Sequence, residues 1–310
     1  MVQGILCALG ASMIWGLIFV VPQFMEGFNS LEIVAGRYLA YGLISSFFFL
    51  YAWKLKKRKY PLSIWRKALS LSLISTFGYY SFCVLSLRHA SPAVCALILG
   101  ISPITIAYYG NWKRKECSFL TLILPSLLIF AGLVMISFFR IVKGESPSTF
   151  LFGFLSGLIC LGIWTWWVVA NGCFLKNNPE IKSREWASLT GVATFFWATL
   201  IAVGLSIFHP ETLGKFLNPG KAVWSFAAGC FVLGFFCSWI GTSLWNKASF
   251  KLPLSLMGQL NIFETIFGLL FVYMLEQRLP PYLECAGAVL LLGAVAYGIR
   301  RSRTTSQSRR

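Results

Sequence analysis

The chain has 310 residues, 57% hydrophobic and 12% charged, with 27 Lys and Arg against ten acidic residues, all of them Glu. Soluble domains carry about 25% charged residues, so a water-soluble enzyme or binding domain is excluded and an all-α polytopic membrane protein is expected. The net charge of +17 does not mark a nucleic-acid groove, because the basic residues lie between apolar runs, where they act as topology signals.

Ten membrane-spanning helices are predicted. The first, 3–25, has no basic residue before it, is too long for a signal-peptide core and lacks a small-x-small cleavage site, so it reads as a retained span. It carries Trp15 at mid-depth. The second, 31–53, follows Ser30-Leu-Glu32 and holds Arg37 about two turns in. That guanidinium either snorkels to the outer interface or pairs with Glu32 or a substrate carboxylate. The third, 68–88, carries Tyr79 and Tyr80; the fourth, 92–111, opens at Pro92 and carries Pro103, which is expected to kink it and free a backbone carbonyl. A fifth span covers 118–138.

The sixth span, 150–174, carries Trp164, Trp166, Trp167 and a Gly153-x-x-x-Gly157 close-packing signal. The seventh, 185–208, and eighth, 222–245, place Trp197 and Trp239 at mid-depth. Mid-depth indoles and phenols need partners, which neighbouring helices or a cavity supply. Trp53, Trp65, Trp112, Trp186, Trp224 and Trp245 fall near span ends and read as interfacial anchors. The ninth span, 252–275, holds Glu264, with Asn261 and Gly268 on the same helical face. A carboxylate at that depth costs roughly 2.5–3.5 kcal/mol on insertion scales. It reads as a functional group facing the bundle interior, the alternative being a protonated, structurally hydrogen-bonded side chain. The tenth span is 282–300.

Placing both termini in the cytoplasm puts 20 Lys and Arg in inner segments and 6 in outer ones, the expected bias. An internal repeat runs through the chain. Gly4, Leu9, Ile14-Trp15 and Val20 recur as Gly153, Leu158, Ile163-Trp164 and Val169, at a constant offset of 149. Ser30-Leu-Glu32 recurs as Ser183-Arg-Glu185; Pro92 and Gly132 recur as Pro253 and Gly293 at an offset of 161. The halves are then 1–145 and 146–300, followed by a basic tail, 301–310. Five spans per half makes the second half inverted, which places a substrate site near the midplane between the halves.

These features resemble the drug/metabolite transporter superfamily of EamA type. The resemblance is carried by Trp15, Ser91-Pro92-Ala93, Ser102-Pro103, Arg114-Lys115-Glu116 and Gly132, and in the second half by Pro253, Gly258-Gln259, Glu264, Glu276, Gly287 and Gly293. It implies a carrier whose central cavity is built from the first four helices of each half. Glu264 stands where its repeat mate is Pro103, a departure that suggests a positively charged substrate or coupling ion. The expected function is secondary transport of a small amine-bearing metabolite (an amino acid, a polyamine or an amino-acid-derived cation) by alternating access. The site would comprise Glu264, Asn261, Trp15, Trp164, Tyr79, Tyr80 and Trp239, with Glu264 coupling a proton and Arg37 contacting a carboxylate. The alternative is a carrier of a neutral metabolite, nucleoside or drug with Glu264 structural; a membrane-embedded enzyme or a channel is more remote. No cofactor, catalytic residue, metal or nucleic-acid partner is expected. The partners are the substrate, the bilayer and a proton or counter-substrate.

Overall fold

Backbone N–H and C=O groups at membrane depth must be satisfied within their own segment, and this chain meets the demand with helices. The computed structural model describes residues 1–56, 59–90, 95, 98–114, 120, 123–124, 126–128, 130–131, 147–217, 219–277, 279, 282, 285–287, 289–290, 292–294 and 297. No strand occurs among them. Helix α1 (Val2–Gly16) runs into two short 3-10 turns, Leu17–Phe19 and Val21–Phe24. After a turn at Gly27, whose φ is 79°, α2 covers Ser30–Lys56. Helix α3 (Leu62–Leu73) continues through a π-helical segment, Ile74–Tyr79, into α4 (Tyr80–His89). Helix α5 is Ser102–Arg114, α6 is Pro147–Asn177, α7 is Ser183–Phe208 and α8 is the short Glu211–Leu217. Helix α9 (Lys221–Phe231) passes through a second π segment, Val232–Gly241, into α10 (Thr242–Lys251). Helices α11 (Leu254–Leu260) and α12 (Ile262–Glu276) are separated by a single turn residue, Asn261.

Among the described residues, six helices are long and apolar enough to cross a membrane: Val2–Phe24, Ser30–Ala52, Ser148–Asn177, Ser183–Phe208, Lys221–Lys251 and Leu254–Leu275. They match the first, second, sixth, seventh, eighth and ninth expected spans. The third is the continuous helix from α3 to α4. The fifth span lies largely, and the tenth in part, outside the described residues, and the expected boundary near residue 145 and the basic tail lie outside them.

Lipid tails are as apolar as leucine, so helices here associate through close packing of small residues and interhelical hydrogen bonds. Helix α2 packs on α7 where Gly42 faces Phe195 and Gly191 faces Ser45 and Tyr41. There the Tyr41 hydroxyl donates to the Ala187 carbonyl at 2.7 Å. A Cβ on Gly258 would come within 2.9 Å of the Ala107 nitrogen, which fixes the tight α5–α11 contact. Gly153 and Gly157 seat α6 against His89–Ala90 and against Ser86 and Ile98, the use their spacing suggested.

Trp186 and Trp245 are completely buried and are not interfacial anchors. The Trp186 indole donates to Asn171 Oδ1 at 2.7 Å, and Asn171 donates to Asn246 Oδ1 at 2.9 Å. This network ties α6, α7 and α10 together. Trp112 and Trp224 remain exposed, as anchors should.

Candidate functional site

Two helix breaks meet inside the bundle. Residues 98–100 are helical, Ile101 is a turn and Pro103 lies in the first turn of α5. Proline fits there because a first-turn N–H has no intrahelical acceptor. Opposite, α11 ends at Asn261, whose side-chain amide donates to Ser102 Oγ at 2.9 Å. Glu264 is therefore a first-turn residue of α12, where the helix dipole favours a negative charge.

Glu264 is 9% exposed and faces a cavity of about 70 Å³, lined also by Trp15, Arg37, Tyr38, Tyr41, Tyr79, Trp164 and Trp167. Every element from α1 to α12 that carries these residues converges here, including both π segments, through Ser75 and Tyr79 in one and Cys237 and Ser238 in the other. Segments of π-helix are frequent at functional sites because they re-aim side chains and backbone carbonyls. The Cys237 carbonyl, inside the second π segment, accepts the Trp15 indole N–H at 2.7 Å. That bond locks Trp15 as one wall. Trp164 meets Trp15 edge-on at 5.6 Å, and Trp167 stacks on Trp164 at 5.2 Å.

Arg37 is 6% exposed and turned inward. It neither reaches the interface nor pairs with Glu32. Its Nε donates to Ser238 Oγ at 3.2 Å, and its guanidinium lies 4.8 Å from the Tyr80 ring and 5.2 Å from the Tyr38 ring. Its Nη1 is buried without a hydrogen-bond partner among the described residues. Arg37 and Glu264 line the same cavity, and among the described residues no ion pair joins them.

Four of the hydroxyls lining the cavity share a polarity. Ser72, Ser75, Thr190 and Thr194 each donate to a carbonyl three or four residues earlier, at 2.8–3.1 Å. Their protons are thus spent, and lone pairs remain to accept from a ligand. The site is an acidic, acceptor-rich and aromatic chamber with one guanidinium on its wall.

Of the residues singled out from sequence, Glu264, Arg37, Trp15, Trp164 and Tyr79 line this chamber. Tyr80 lies behind Arg37, and Asn261 holds the helix break. Trp239 lines a different, larger cavity, and Pro103 packs its carbonyl toward Gly258. Sequence reasoning named Trp167 at mid-depth without assigning it to the site, and passed over the hydroxyls, although Ser72/Ser75 and Thr190/Thr194 recur at helical spacing. Among the described residues no group of three His, Cys, Asp or Glu side chains is placed to hold a metal.

A partly buried ion pair ties the start of α2 to the short helix α8. Lys215 Nζ donates to both Glu32 carboxylate oxygens at 2.9 Å and to the Gly27 carbonyl at 2.9 Å. Glu32 also accepts from the Asn29 N–H at 2.6 Å and the Thr212 hydroxyl at 2.8 Å. Phe28 stacks on Phe226 beneath the pair, with centroids 3.9 Å apart.

Residues 2–138 match the model of the EamA-like transporter family. Over that stretch, less than half of its length, the chain is similar to EamA-like transporters. It is 28% identical to the "Inner membrane protein YtfF" of Escherichia coli (strain K12) over 97% of this chain and 96% of that one. It is 23% identical to the "Uncharacterized transporter YyaM" of Bacillus subtilis (strain 168) over 77% of this chain and 75% of that protein. A solved crystal structure superposes with a TM-score of 0.76 over 98% of this chain and 99% of its own, at 18% identity, a likeness of fold. With six helices of membrane-spanning length and composition among its described residues, the protein is an integral membrane protein.

Proposed function

We propose that this chain is a secondary transporter of the bacterial inner membrane that carries a small amine-bearing polar metabolite by alternating access. Two inverted five-helix halves, 1–145 and 146–300, would form it, with both termini in the cytoplasm. The positive-inside count supports that orientation. The two π segments, Ile74–Tyr79 and Val232–Gly241, fall at corresponding places in the third and eighth spans, which supports the repeat.

The observation that carries the reading is that Glu264 and Arg37 line one chamber without pairing to each other among the described residues. The carboxylate and the spent hydroxyls favour an ammonium, and aromatic faces attract a cation further. The orphan Arg37 Nη1 favours a substrate that also brings a carboxylate, so the amino-acid class fits better than a polyamine. Opposed charges left apart in a dry site are costly, and a ligand bearing both complements compensates both. With no such ligand, Glu264 would hold a proton and return it across the membrane.

A chamber of about 70 Å³ is well below the 300–1,000 Å³ of typical small-molecule sites. Substrate entry then requires the halves to part, as alternating access supplies. Counterflow in proteoliposomes tests the reading. Vesicles preloaded with an unlabelled amino acid should accumulate the labelled one transiently. Equilibration without overshoot points to a channel, and chemical alteration of the label points to an enzyme.

A further inference from the structure

A second cavity, of about 720 Å³, lies where the end of α2, the α6–α7 connection and the end of α10 meet. It is roughly tenfold larger than the central chamber and falls in the size range of ligand sites. Its inner wall is aromatic. Phe48 stacks on Trp239 with centroids 4.1 Å apart and planes 14° from parallel, and the Trp239 indole is held by Ser188 Oγ at 3.1 Å. Its rim is cationic: Lys182, Arg184 and Lys247 line it together with one carboxylate, Glu185, which accepts the Lys182 backbone N–H at 3.3 Å.

The aromatic wall is continuous with the outside of the bundle. Phe47, 66% exposed, meets Phe48 edge-on at 5.5 Å, and Tyr51 beside them is 60% exposed. An apolar path thus runs from the lipid-facing side of α2 into the cavity and ends beneath three cations against one acid. In the orientation proposed above, this is the cytoplasmic end, where anionic lipids attract juxtamembrane Lys and Arg.

We infer that this cavity binds an anionic phospholipid, its phosphate at Lys182, Arg184 and Lys247 and its acyl chain along Phe48 and Trp239. A soluble anion would use the cations and leave the aromatic path idle; a zwitterionic lipid would use the path and leave the cations uncompensated. The ligand is thus defined by both features together.

The full chain in detergent is titrated with phosphatidylglycerol and with phosphatidylcholine of the same acyl chains, following lipid adducts by native mass spectrometry and the unfolding temperature. Phosphatidylglycerol should bind more tightly and raise the unfolding temperature more. A variant combining K182Q, R184Q and K247Q should lose that preference, by about fivefold per cation removed, while keeping its response to phosphatidylcholine. Equal response of the wild type to both lipids overturns the inference and needs no variant to show it. So does an unchanged preference in the triple variant, or equal stabilisation by inorganic phosphate, which would mark a soluble-anion site. Glu264→Gln should keep the lipid preference, so this test fails or succeeds independently of the central chamber.

Discussion

Replacing Lys215 with methionine keeps an aliphatic side chain and removes the ammonium, which lies 5.1 Å from the Phe28 ring centroid. Glu32 then loses two contacts of 2.9 Å and keeps the Asn29 N–H and the Thr212 hydroxyl. Hydrogen bonds to charged groups contribute about 1.5–3 kcal/mol. Lys215 is about a third exposed, so solvent screening favours the lower figure, about 1.5 kcal/mol. If the pair holds the outer end closed, that loss raises the outward-open population about tenfold. Cys237 lines the central chamber and serves as a native reporter. Its modification by an impermeant cationic thiol reagent is read by peptide mass spectrometry, with Cys237→Ser as the blank. Labelling from outside should quicken about tenfold in Lys215→Met and return to the wild-type rate in Lys215→Arg. Unchanged labelling in Lys215→Met would show that the pair is a static tether, and faster labelling only from the cytoplasm would invert the orientation.

Three further outcomes are expected. Gly191→Ala forces a methyl into Ser45 and Tyr41 at the α2–α7 crossing and should lower stability by about 1–3 kcal/mol, the usual cost of overpacking, measured as a lower unfolding temperature. Trp15→Phe leaves the Cys237 carbonyl without its 2.7 Å donor and should cost about 0.5–1.5 kcal/mol; amino-acid binding should weaken more than folded yield, and normal binding would make Trp15 a packing residue only. Arg37→Met should weaken binding of an amino acid while sparing the matching decarboxylated amine, compared by isothermal calorimetry; equal losses would remove the carboxylate contact.

Much of the chamber was legible because intramembrane charge is expensive. Glu264 and Arg37 stand out in apolar runs on that ground alone, and the Ile-Trp repeat singled out Trp15 and Trp164. Partners far apart in sequence were not legible. Glu32 was a candidate for Arg37, yet its cation is Lys215, 183 residues away on a short helix between spans. Trp186 and Trp245 sit near span ends, where depth suggests an interface, but the Asn171–Asn246 network draws those ends into the core. Asparagines inside apolar spans were the available signal. The π segments left no trace in residue type, since they differ from α-helix by one hydrogen-bond offset. Tyr80, Asn261 and Trp239 share the depth of the chamber residues, and depth alone does not say which side of a helix meets the cavity.

Glu264→Gln is the most direct measurement. The amide keeps the shape and polarity of the side chain but cannot neutralise a bound ammonium. The variant should fold as well as the wild type, by unfolding temperature, and should lose binding of an amine-bearing substrate. Wild-type binding should weaken as pH falls and the carboxylate takes a proton, and the variant should lack that dependence. Binding and counterflow by Glu264→Gln equal to wild type, with the same pH profile, would contradict a substrate-binding carboxylate and leave Glu264 as a structural residue of the ninth span.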